Sequence, residues 1–165
     1  MNSNKMAHGF TMIEVIASIV LVGILAVLTS ISLANIFEGY LFTKDNADTT
    51  MKAQIALTRL VKEFSSIDEI SNGTNTSLTY KYYKNGVSEP RTVTWSGIDN
   101  APLLLGGNIL ADNINDFELS YHNSYSDVGD NTWNGTEKMI GITLKINGAL
   151  NIASTFTIRV SPRNL

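Results

Sequence analysis

Apolar and polar positions divide the chain into three regimes. From Val15 to Phe37 no Asp, Glu, Lys or Arg interrupts a continuous apolar run, and about 20 mostly apolar residues suffice for a helix to cross a bilayer. From Ala47 the pattern turns amphipathic, with Ala53, Leu57, Leu60, Val61 and Phe64 at helical spacing and Lys52, Arg59, Lys62 and Glu63 mostly on other faces. The first proline is Pro90, and Gly23 and Gly39 are the only glycines between Phe10 and Ile70, so no residue forces a break. One helix from Phe10 to about Phe64 would span about 80 Å at about 1.5 Å per residue.

Beyond Ser71-Asn72-Gly73 the period shortens to two. Leu78, Tyr80 and Tyr82 alternate with polar residues, Lys84-Asn85-Gly86 offers a turn, and Val93 and Trp95 resume the alternation, which predicts a hairpin. Pro102 to Gly107 reads as an interruption. Phe117, Leu119 and Tyr121 form a further strand, the 123–138 stretch a polar loop, and Ile140, Ile142, Leu144 and Ile146 another strand. Asn147-Gly148 then marks a turn, and Phe156, Ile158 and Val160 close the chain. A long helix followed by hairpin strands predicts an α+β fold in which an antiparallel sheet packs on the amphipathic half of the helix. The expected organisation is a membrane-spanning half over 10–37, an amphipathic half over 38–70 and a β-domain over 71–165.

Composition narrows the function. The formal net charge is -3, which gives no bulk attraction for nucleic acid. The absence of cysteine excludes disulfides, thiol nucleophiles and cysteine-ligated metal centres. Lys5, with no acidic residue before it, predicts a cytoplasmic N-terminus and hence a domain on the outer side of the membrane. An ordinary secretory signal cleaved at Ser32-Leu33-Ala34, ahead of Asn35, is the competing reading. The apolar run exceeds the usual signal core of about 7–15 residues, and Glu14 sits at its front. A carboxylate at membrane depth costs about 2–3 kcal/mol on insertion scales. Glu14 either snorkels to the headgroups or has a function.

A short basic leader ending in Gly9, followed by Phe10-Thr11-Met12-Ile13-Glu14 and a long apolar helix, resembles the processing site of the type IV pilin and pseudopilin superfamily. The resemblance implies that residues 1–9 are removed by a prepilin peptidase cutting after Gly9 and that Phe10 becomes an N-methylated N-terminus. Glu14 would then act in assembly. An α-amino group titrates near about 7.7–8, so a processed Phe10 presents a cation, and Glu14 of a staggered neighbour can supply its anion. Two stretches, 53–63 and 160–165, are similar to minor pilins and J-type minor pseudopilins. The resemblance implies a non-enzymatic structural subunit of a type IV pilus or a type II secretion pseudopilus. It would sit as a single-pass protein of the inner membrane with its C-terminal domain outside. Its partners would be the peptidase, other pilins or pseudopilins and an inner-membrane assembly platform, with no cofactor.

Other residues carry chemistry on paper. Asp127, Asp130 and Asn131 could offer oxygens to calcium, but Ca²⁺ takes about 6–8 ligands, so a solvated loop is the simpler reading. The tyrosines of 80–84, with Arg91, could stack on single-stranded nucleic acid or sugar, although strand alternation explains them too. Trp133 is either an exposed contact residue or folded over the sheet edge. These features define the alternative function, a pilus-displayed binding module for adhesion or DNA uptake. His122 has no nucleophile assigned to it by the sequence, so a Ser-His-Asp site has no support.

Overall fold

The computed structural model describes residues 10–84 and 87–164. It divides into two units, one up to Phe42 and one from Thr43 onward. Helix α1, Met12–Phe64, contributes to both.

In the first unit, every described residue from Phe10 to Phe42 is exposed. By length and composition this helix suffices to cross a membrane. The hydroxyls scattered along the apolar run are satisfied within the helix itself. Ser18, Thr29, Ser30 and Ser32 donate to the carbonyls of Glu14, Leu25, Ala26 and Leu28, four residues back, at 2.7–3.1 Å. That local bonding lets polar side chains sit in lipid without an unsatisfied donor.

In the second unit, α1 buries Thr49, Ala53, Ala56, Leu60, Glu63 and Phe64, a stripe at helical spacing. Ala53 and Ala56 on this stripe are fully buried in the core shared with the sheet. The sheet has seven antiparallel strands in simple sequence order: β1 Ile67–Gly73, β2 Ser77–Lys84, β3 Val87–Thr94, β4 Ala101–Leu105, β5 Asn108–His122, β6 Met139–Asn147 and β7 Ala153–Val160. Between β6 and β7 lies one 3₁₀ turn, Ala149–Asn151. The rows read from alternation face the helix: Leu78 and Tyr80, then Phe117, Leu119 and Tyr121, then Ile140, Ile142 and Leu144 are all buried. Phe64 meets Tyr80 edge-on, with ring centroids 5.6 Å apart.

Three strands depart from the sequence reading, β5 by starting at Asn108, well ahead of the Phe117–Tyr121 row read from alternation. The α-helix ends at Phe64, and Ile67–Ile70, which the sequence assigned to the helical segment, opens β1 instead. The 102–107 interruption holds β4, whose Leu103 and Leu105 are buried. Lys84 ends β2 and pairs with Val87, while Asn85 and Gly86 of the expected turn lie outside the described residues.

Candidate functional site

Thr11 and Glu14 form a reciprocal cap at the start of α1. The Thr11 backbone N–H and hydroxyl both donate to Glu14 Oε2, at 2.8 and 2.9 Å, and the Glu14 N–H reaches back to Thr11 Oγ1 at 3.4 Å. This is the Thr-x-x-Glu capping box, which satisfies two of the N–H groups a helix start leaves open. The sequence reading gave Glu14 a partner on a neighbouring chain and missed this local one. The signal was present as Thr11 three residues before Glu14. Both Thr11 donors fall on one carboxylate oxygen, and the side chain stands at the exposed head of α1, ahead of the charge-free run from Val15 to Phe37. A carboxylate so oriented can accept a cation brought by another chain. Phe10, the expected mature N-terminus, is exposed beside it, and Gly9 lies outside the described residues.

The other candidates resolve differently. Asp127 Oδ2 accepts the N–H of Asn123, four residues earlier, at 3.1 Å and so closes the loop, and Asp130 pairs with Tyr121 through backbone. Asn131 is exposed, and no group of three or more His, Cys, Asp or Glu converges among the described residues. Trp133 folds over the sheet edge: its N–H donates to the Gly73 carbonyl at 3.1 Å and its ring meets Tyr121 edge-on at 5.7 Å. A Cβ on Gly73 would lie 2.6 Å from the Tyr121 hydroxyl, so this contact requires glycine there.

Tyr80 and Tyr82 are buried, which removes the aromatic platform a nucleic-acid or sugar site would need from them. Tyr80 donates to Glu63 Oε2 at 3.3 Å, and burial, reinforced by the Glu63 charge, pushes its hydroxyl far above the ordinary tyrosine range. Glu63 corrects a second expectation, since it points into the core. There Arg91 at 2.9 Å and Arg59 at 3.0 Å share its Oε1. Arg91 also lies over the Tyr82 ring, 4.6 Å from the centroid.

His122 has a partner that the sequence reading did not assign. Its Nε2 lies 2.9 Å from Ser120 Oγ, and its Nδ1 lies 3.1 Å from the Asp127 carbonyl. Residues two apart on a strand share a face, so the pair was legible once β5 was assigned. Gly129 and Gly141 press on the imidazole so closely that neither could carry a Cβ without displacing it. His122 is thus packed as a brace for the loop, with no room beside it for a substrate. Glu137, also buried, accepts the N–H groups of Asn134 and Thr136 at 3.1–3.2 Å. Burial pushes its carboxyl up, but the backbone N–H groups together outweigh this and hold it below the ordinary glutamate value.

Comparison with known families matches residues 4–30 to the prokaryotic N-terminal methylation motif. No curated protein and no solved structure gives a significant match to the chain.

Proposed function

For a chain that its prepilin-type motif at residues 4–30 marks as type IV pilin-like, we propose the role of a minor pilin or pseudopilin. Processing by a prepilin peptidase and assembly with other pilins follow from the motif itself, and a structural rather than catalytic part is what such membership implies. In the proposed sequence of events the chain is inserted with its N-terminus in the cytoplasm and its β-domain outside. It is cut between Gly9 and Phe10, methylated at Phe10 and taken up by an inner-membrane platform into a type IV pilus or a type II secretion pseudopilus. Glu14 then accepts the Phe10 amine of a neighbouring subunit, so that two charges leave lipid as one pair. Removing either partner would strand the other, at about 3–5 kcal/mol by analogy with buried pairs.

The observation that carries this reading is the conjunction of the motif with Glu14 at the exposed head of an apolar helical run that carries no further charge up to Phe37. Mass spectrometry of the N-terminus of the membrane-extracted chain tests it. A mature protein starting at N-methylated Phe10 is expected. An intact leader would remove the processing step, and a start at Asn35 would make the apolar run an ordinary secretory signal.

A further inference from the structure

The turn that joins β6 to β7 presents two large apolar side chains to solvent. Leu150 is 83% exposed and Ile152 59%. Backbone bonds fix the turn from inside: the Gly148 N–H donates to the Ile152 carbonyl at 3.0 Å, and the Ile152 N–H to the Ala149 carbonyl at 3.2 Å. Leu150 sits at φ 57°, ψ 24°, a left-handed conformation that glycine and asparagine adopt readily and leucine does not. The turn therefore holds an apolar side chain outward where its own geometry favours glycine. From Ile146 to Ile158 the sequence contains no Asp, Glu, Lys or Arg. Val128, the exposed apolar tip of the 123–138 loop, differs in this respect, since Asp127 and Asp130 flank it.

The position of the turn is set by α1. Asn46 Oδ1 accepts the Ala149 N–H at 3.2 Å, and the Thr49 hydroxyl lies 3.5 Å from the Asn147 carbonyl. At the other end of β6, the Ser161 hydroxyl donates to the Lys138 carbonyl, and the Arg163 N–H donates to the Ser65 carbonyl. Within the second unit the β6–β7 turn thus lies at the Asn46 end and the 123–138 loop at the Ser65 end. Asn46 follows Phe42 by four residues, and Tyr40, Leu41 and Phe42 are exposed. Four residues reach about 14 Å at most. Chain length alone therefore keeps the turn near the last apolar residues of the membrane-spanning run, where Tyr40 suits the membrane–water boundary.

Charges at the base of the turn are mostly acidic. Asp45 and Asp48 border the same cleft as Asn147 and Gly148, and Asp99 accepts the Asn147 amide at 3.3 Å. Lys52, which also lines that cleft, is paired with Asp112. An attraction to anionic headgroups has no basis there, whereas apolar insertion needs no charge.

We propose that Leu150 and Ile152 insert into the headgroup boundary of the bilayer that the apolar half of α1 spans, making the β6–β7 turn a second, apolar membrane contact. Continuity with the span and the charge-free sequence of the hairpin select lipid as the occupant, and neutral headgroups suffice. The inference rests on the membrane span and not on processing or on a place in a filament. The contact ties the β-domain to the bilayer while the chain resides there and is released when the chain leaves it.

The absence of cysteine lets a single label report position. Ala153→Cys is exposed beside Ile152 and leaves both apolar side chains in place. It carries an environment-sensitive fluorophore in the full chain, reconstituted in phosphatidylcholine vesicles, with Val128→Cys as the reference off the other end of β6. The label at 153 is expected to be quenched by nitroxides on the lipid chains and shielded from aqueous iodide, and the label at 128 the reverse. Added salt or anionic lipid should not strengthen the difference. Leu150→Gly, which suits the left-handed position, combined with Ile152→Ser is expected to lower the immersed-to-free ratio at 153 by about tenfold, the weight of two partly buried aliphatic side chains. The thermal midpoint should not fall. Equal iodide quenching at 153 and 128, in vesicles that retain the chain through alkaline extraction, overturns the contact and leaves the span standing. A chain released by alkaline extraction overturns the span and the contact with it. Immersion that survives the double substitution, or that appears only with anionic lipid, also overturns the proposal. None of these readouts depends on a cut after Gly9, which mass spectrometry of the same sample reads separately.

Discussion

Glu14→Gln keeps an oxygen for the Thr11 donors but carries no charge, whereas Glu14→Ala removes both. The two variants therefore separate capping, worth about 1 kcal/mol at a helix start, from pairing with a cation. Glu14→Gln is expected to insert and be processed normally yet be missing from sheared filaments by immunoblot. Glu14→Ala adds a frayed helix start, and a Gln variant that assembles like the native chain would show that the cap alone matters. Glu63 illustrates the cost of a buried charge in the second unit. Arg91→Ala leaves its carboxylate with the half-exposed Arg59 and the Tyr80 hydroxyl. A loss of about 3 kcal/mol is expected, measured as a lower urea midpoint of the detergent-solubilised chain.

At the scale of elements, the sequence was legible wherever burial kept its ideal period. β2, β6 and the Phe117–Tyr121 half of β5 keep the alternation from which they were read, whereas the first half of β5, which buries Ala111, Ile114 and Phe117 three apart, was not read as strand. β1 does not keep the alternation either, because its register shifts between Ile67 and Glu69 and again between Ile70 and Asn72. Those irregularities space its buried residues Ile67, Ile70 and Gly73 by three, which imitates a helix. β4 was hidden by Pro102. A proline removes a ladder donor, but a register shift between Ala101 and Leu103 takes it out of the pairing. At the candidate site, Gly9, Phe10 and Glu14 were visible as a motif, while Glu63 gains Tyr80 and Arg91 only through the sheet, and Ser120 and Glu137 meet neighbours a few residues away that only the strand and loop conformations bring into reach. Glu137 makes the 130–137 loop acid-sensitive in a definite direction. Its folded value is depressed, so its stabilisation is complete above the unfolded glutamate value near about 4.3 and is lost as pH falls through the folded one. In a Trp95→Phe background, Trp133 fluorescence is expected to report release of the loop below about pH 4. Glu137→Gln should remove that transition by loosening the loop already at neutral pH.

On the scale of the molecule, stability and anchorage are assigned to different units. Among the described residues every buried side chain falls between Thr49 and Pro162, and the helix up to Phe42 covers none of its own apolar surface. The seven-stranded sheet closes its core without a disulfide, on side chains from Ala53 to Val160. A chain beginning at Thr43 should therefore keep a single cooperative unfolding transition and stay in solution without detergent. The full chain should need detergent or a bilayer, because about 30 residues of exposed apolar helix have no other partner. Circular dichroism melts and sedimentation of both forms measure this directly. Loss of cooperativity in the shorter chain would mean that the anchoring half of α1 also sustains the fold. If the transition is kept, the anchor is free to move from lipid into a helical bundle while the β-domain stays folded, as the proposed uptake into a filament requires.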